Sequence, residues 1–348
     1  MRKLFTLIPL FACLLGANTA HSAELTAPVA DHFLSLRSQA AADVSLLLNR
    51  ASPNPRSSNR NSKGDPVTAG QALNALDQAS IQKALVISSA YLFSAPELNP
   101  SGEQSLVKRE NDFLAQQVAV NPRRLTGVCS LNPLSDFALD EAQRCAQRLE
   151  LKALYLNFYS SGINLRSSRH ISKLKELFQF LEVLEFPVLM QIRTRNETYG
   201  SVDVKLLIDN VLSEAPSLDM HITQLGSNGV YDYAADRVMG EFLEAFEDGR
   251  LEPSRLQFDL ADTISMEYNS MSPSEIRLAG ERNELLLNRI RQLDIQQLLF
   301  ASNWPAPLAP AFTSLGQIPQ RISDWRRHLG LSSEEWSNLF QAQSRLFD

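Results

Sequence analysis

The chain has 348 residues, 33 Lys and Arg against 39 Asp and Glu, 44% hydrophobic residues and a formal net charge of −6. That acidic balance argues against a nucleic-acid or anionic-membrane partner. No glycine-rich phosphate loop follows any predicted strand, which argues against a nucleotide-binding sheet.

The first residues read MRKLFTLIPLFACLLGANTAHSAE. Two cations, Arg2 and Lys3, precede an apolar core from Leu4 to about Gly16, and small residues follow. This is the pattern of a secretory signal peptide, and the apolar run is too short for a membrane span. Cleavage is expected after Ala20 or Ala23, so residues 1–23 are assigned to the signal and 24–348 to the mature domain. The expected location is exported, periplasmic or secreted. Without Arg2 and Lys3 the balance becomes 31 basic against 39 acidic residues, or −8. Cys129 and Cys145 remain, and both are expected as free thiols, one on a strand and one on a helix.

Along the mature chain, short apolar segments alternate with amphipathic ones. PVADHFLSL (28–36) is the first predicted strand. The Pro-, Ser- and Asn-rich stretch 51–66 reads as a long flexible loop within the domain. A helix capped by Thr68 follows, then the strand KALVISSAY (83–91) and a helix over 103–120. LTGVCSLNP (125–133) precedes DFALDEAQRCAQRL, and KALYLNFY (152–159) precedes a helix whose Ile171, Leu174, Leu177, Phe178, Leu181 and Leu184 share one face. PVLMQIR (187–193), LDMHITQLG (218–226) and LQFDLAD (256–262) each lead into a further helix. The last of these is opened by Ser272, Pro273 and Glu275. QLLFASNW ends the series, and Ser332 with Glu335 caps a terminal helix.

Eight strand–helix alternations predict a parallel sheet closed as a single (β/α)8 TIM barrel. Barrel chemistry sits at the C-terminal strand ends. The residues there are Phe33, Ser35, Ser88 to Tyr91, Asn132, Tyr155, Asn157, Gln191, Arg193, Gln224, Asp259 or Asp262, and Asn303. Side chains alternate along a strand, so Asp31, Phe33 and Ser35 share a direction, as do Gln191 and Arg193. His32 and His221 fall on the outward phase in this reading, with structural roles. His170 opens a helix near the mouth, where a capping role is expected. His328 is given no function.

At these strand ends the chain resembles the amidohydrolase superfamily, in the amidohydrolase-related (family 2) branch of carboxymuconate-semialdehyde decarboxylase-like enzymes. The resemblance is carried by ADHFLSL, KRENDFLAQQVAVNPRRLTGVCSLNPLSDFALDEAQRCA, SSGINLR, VLMQIRTR, ITQLGSNGVYDYAAD and LLFASNWP. It implies a divalent metal held by a His-x-His pair on strand 1, histidines on strands 5 and 6, and an Asp on strand 8. In this chain those positions are Phe33 and Ser35, Gln191, Gln224 and Asn303, and a strand 4 Lys-x-His becomes Tyr155 and Asn157.

A phenyl ring, a hydroxyl and neutral amides are poor donors for zinc, manganese or iron. The expectation is therefore no metal and no cofactor, with the polar residues hydrogen-bonded among themselves as a neutral network. The expected role is a pseudoenzyme that binds a small carboxylate or a protein, as a homodimer or a heterodimer with an active relative. Candidate ligand-binding residues are Ser35, Tyr155, Asn157, Gln191, Arg193, Gln224, Asn303 and Trp304. The alternative is an active hydrolase or decarboxylase with a rewired or metal-independent site built on Asp259, Asp262 and His170.

Overall fold

A computed structural model describes residues 27–51, 65–98, 102–264, 272–305 and 318–347. The signal segment and most of the 51–66 loop lie outside the described residues. The chain runs β1 (Ala30–Leu36), α1 (Gln39–Ala51), α2 (Ala69–Gln78), β2 (Lys83–Ser88), α3 (Glu103–Val118), β3 (Leu125–Ser130), α4 (Ala138–Gln147) and β4 (Ala153–Asn157). It continues α5 (Ser168–Val183), β5 (Val188–Gln191), α6 (Ser201–Asn210), β6 (Met220–Ile222), α7 (Tyr233–Glu247), β7 (Leu256–Asp259) and α8 (Pro273–Ile290). It closes with β8 (Leu298–Leu299), α9 (Ile318–Leu329) and α10 (Ser333–Gln341).

All eight strands pair in sequence order, each parallel to the next. The ring closes where His32 N donates to Phe300 O at 3.1 Å and Ser35 N donates to Trp304 O at 2.9 Å. This is the expected (β/α)8 barrel. Short helix starts hold the helices in place: Thr68 with Gln71, Ser272 with Glu275, and Ser332 with Glu335 each form a reciprocal capping box.

The strands are buried on both faces, so two cores result. The outer one, between sheet and helices, takes Leu34, Leu36, Val86, Cys129, Leu154, Met190, Ile222 and Phe258. The inner one takes Phe33, Leu85, Ile87, Val128, Ala153, Tyr155, Leu189, Ala261 and Ala301. Leu346 and Phe347 pack against the inner cluster from the chain end. They are anchored by Ser344 N on His32 Nε2 (3.0 Å) and by Lys83 over the Phe347 ring at 4.2 Å.

Cys129 and Cys145 correct an expectation. The outward face of β3 meets the buried face of α4, their Cα atoms lie 6.2 Å apart, and the two sulfurs form a disulfide. Strand and helix phase, not sequence spacing alone, bring them together. Among the described residues no helix is long and apolar enough to cross a membrane.

Candidate functional site: the barrel mouth

Phe33, on the inward phase of β1, projects into the C-terminal half of the barrel. Its ring meets Tyr155 of β4 edge-on at 5.3 Å, and Tyr155 meets Tyr91 edge-on at 5.3 Å. Edge-to-face pairs of this kind are the favoured aromatic geometry. Val44 and Leu48 of α1 pack against the same cluster. The centre of the mouth is therefore filled with rings. Burial pushes the Tyr155 and Tyr91 phenols up from their ordinary range, and Arg37 pulls Tyr91 the other way.

The polar residues around this plug do not form the expected common network. Asn157 Nδ2 donates to the Tyr155 hydroxyl at 3.0 Å, and Asn157 Oδ1 accepts from Ser160 N at 2.8 Å. Gln191 Nε2 donates to Ser227 O at 3.2 Å, which leaves Gln191 Oε1 buried without a partner. Ser35 Oγ is likewise buried and unpartnered. Asn303 Nδ2 donates to Asp262 Oδ2 at 2.6 Å. The partners differ from one side chain to the next: Asn157 bonds within its own strand end, Gln191 reaches the segment after β6, and Asn303 reaches the segment after β7.

Backbone strain gathers at three strand ends. Gln224, Leu225, Asp262 and Asn303 hold φ of 56°, 49°, 53° and 53°. Side chains other than glycine rarely adopt such values, and they persist where surroundings or function require them. Gly226 follows with φ 73°, and a Cβ there would meet Val238 Cγ1 at 2.8 Å. This break in β-geometry also resets the alternation. His221 pairs in register with inner-facing Leu189 and so points inward, contrary to the sequence expectation.

Inside the barrel His221 Nε2 lies 2.9 Å from Asp259 Oδ2, while Asp259 Oδ1 accepts from Gln224 N at 2.9 Å and Ala261 N at 3.0 Å. Asp259 thus holds the strained turn together. Asp31 accepts from Ser302 N (3.0 Å), Ser302 Oγ (2.5 Å) and Phe33 N (3.1 Å). Burial raises Asp31 to about 6 despite these donors. His32 does not keep the outward phase expected of it: the register of β1 shifts between Asp31 and Leu34, and the His32 ring lies 5.5 Å from Phe347, which packs against the inner cluster. Its Nδ1 lies 2.7 Å from Phe300 O, and burial lowers its pKa to about 3.

The rim arginines are engaged. Arg193 lies 3.3 Å from Asp232 and over the Tyr199 ring, and Arg195 pairs with Glu97. His170 Nδ1 accepts from Asn164 N at 3.0 Å in a part-exposed turn, consistent with the capping role, and burial lowers its pKa. The side chain of Trp304 packs into the outer cluster rather than against the plug. Asp259, Asp262 and His170 therefore sit in three separate bonding environments.

One mouth residue escaped the sequence reading. Arg37 stands two positions beyond Ser35, on the same alternation phase, and donates to Asp65 O at 3.0 Å and Pro305 O at 3.5 Å. Extending the β1 alternation by one step would have found it.

The donor set does not fit the metal implied by the resemblance. Phe33 offers no lone pair, and Ser35, Gln191, Gln224 and Asn303 are neutral. Among the described residues, the one trio spaced to hold a metal is Cys129, Glu141 and Cys145. It lies in the outer core, and its sulfurs are joined to each other.

No protein-family model matches the sequence, and no curated protein matches it significantly. Solved structures do. 5-Carboxyvanillate decarboxylase from Novosphingobium aromaticivorans, with manganese and a nitrobenzoic acid bound, matches with TM-score 0.59 at 14% identity over 92% of this chain and 97% of that one. A putative 2-pyrone-4,6-dicarboxylic acid hydrolase from Pseudomonas putida matches with TM-score 0.58 at 16% identity over 93% and 98%. 5-Carboxyvanillate decarboxylase from Sphingomonas paucimobilis gives 0.56 at 16% over 90% and 96%. The chain thus shares the (β/α)8 barrel fold of these decarboxylases and of the hydrolase over nearly its whole length.

Proposed function

We propose that this protein is an exported, metal-free barrel of amidohydrolase-related descent that binds a small organic acid without turning it over. The observation that carries this reading is the ring contact of Phe33 with Tyr155. A phenyl group occupies the place from which a strand 1 imidazole would reach a metal. Without a Lewis acid, water keeps its bulk acidity and no hydroxide forms near neutral pH.

The other protein groups do not supply a substitute. Asp259 is used by three donors, Asp262 accepts from Asn303, and His170 is tied to its own loop. The fold neighbours act on carboxylic acids by their names, and one holds a nitrobenzoic acid, which supports a carboxylate as the ligand class. Export is supported by the disulfide, since such bonds persist in oxidising compartments. Pairing with a second copy or an active relative belongs to the same reading.

The test is a thermal-shift and calorimetry screen of small carboxylates beside a turnover screen of esters, lactones and aromatic acids. Saturable binding with no turnover is expected. Turnover that disappears in Asp262→Asn would overturn the reading in favour of a metal-independent enzyme.

A further inference from the structure

We propose that Arg37 is the anion anchor of the mouth, receiving the carboxylate of the bound acid above the aromatic plug. This rests on the binding reading above but assigns the charge contact to a residue other than the rim arginines.

Four observations carry it. First, Arg37 follows Phe33 and Ser35 on the inward phase of β1, yet it remains part-exposed where those two are buried. It therefore stands at the open side of the plug. Second, its guanidinium meets only backbone carbonyls among the described residues, those of Asp65 and Pro305. The Asp65 carboxylate acts on it through space without forming an ion pair.

Third, the other candidate cations are neutralised internally, Arg193 by Asp232 and Arg195 by Glu97. Fourth, an unmet hydrogen-bonding atom lies on the same strand face: Ser35 Oγ is buried without a partner. Tyr91, electrostatically coupled to Arg37, lies against the plug. A part-buried cation without an anionic partner is costly, and a carboxylate accepting two parallel N–H bonds would offset that cost. Among the described residues, Arg37 faces Tyr91 and Asp65 as its titratable neighbours, and neither supplies a contact anion.

The experiment is calorimetry with sodium benzoate, benzamide and inorganic phosphate on the full mature chain, wild type and variants. Benzoate is expected to bind the wild type, with benzamide at least 10-fold weaker. Arg37→Gln should weaken benzoate about 100-fold, Arg37→Lys about 10-fold, and Arg193→Gln less than 3-fold. Unliganded melting temperatures of the variants establish that each is folded. Benzoate binding unchanged in a folded Arg37→Gln, or lost in Arg193→Gln, overturns the assignment while leaving the binding reading intact. Phosphate binding tighter than benzoate through Arg37 overturns the carboxylate assignment. No carboxylate binding by the wild type across the wider acid screen overturns the binding reading itself.

Discussion

The Asn303 amide donates to the Asp262 carboxylate at 2.6 Å, and both residues hold left-handed backbone at φ 53°. The neutrality of position 303 therefore has a local cause: it supplies a hydrogen-bond donor to an existing carboxylate. Asn303→Asp would set two carboxylates against each other. One member of that pair would have a raised pKa, so the folded state would bind a proton that the unfolded chain releases. The variant should be less stable than wild type by about 1–3 kcal/mol at pH 7, and the deficit should shrink towards pH 5. Asn303→Gly, which tolerates the backbone, should cost less than Asn303→Leu. Urea denaturation at both pH values measures this, and a deficit that grows on acidification would contradict the pair.

Phe33 is the centre of the plug. Phe33→Ala should lower stability by about 3–4 kcal/mol, since the Tyr155 and Tyr91 rings cannot fully collapse onto the space left. Phe33→Leu should cost about half as much. A change below about 1 kcal/mol in the alanine variant would show that the rings do not pack as described.

Two buried groups at the foot of β1 give opposing pH dependences. His32 is lowered to about 3, so its contribution is complete above 6.5 and is lost as pH falls towards 3. Asp31 is raised to about 6, so its cost is complete above 6 and is relieved as pH falls towards 3.8. Asp31→Asn removes only the second effect. Between pH 7 and 4 that variant should lose roughly 2–3 kcal/mol more stability than wild type. Parallel stability–pH curves for the two proteins would contradict the buried carboxyl.

The Cys129–Cys145 bond closes a loop of sequence separation 16. Replacing both with serine should cost about 2–4 kcal/mol, and mass spectrometry of alkylated native protein should find no free thiol among the two. Two alkylated thiols in protein purified from an oxidising compartment would contradict the bridge.

The barrel was legible because strand-length apolar runs alternate with helical faces and capping boxes, and Thr68, Ser272 and Ser332 cap as their spacing suggests. Phe33 and Ser35 face inward, but Asp31 does not share their direction as alternation predicts: the register of β1 shifts between Asp31 and Leu34, and Asp31 pairs with Ala84 of the outer cluster. His221 was not placed correctly, because left-handed residues Gln224 and Leu225 break the period, and local sequence does not announce that break. The neutral network failed for a different reason. Residue type shows that Gln191, Asn157 and Asn303 need partners, but Ser227 and Asp262 are supplied by neighbouring loops, and Tyr155 by the same strand two positions back. Likewise, the disulfide depends on the facing phases of a strand and a helix.

The metal content of protein exported to the periplasm and purified without chelator tests the central claim most directly. Elemental analysis should find less than about 0.1 equivalent of zinc, manganese or iron per chain, with no rise in melting temperature on adding any of them. One full equivalent, removed by chelation and restored with a matching rise in melting temperature that Gln191→Ala or Gln224→Ala abolishes, would contradict it.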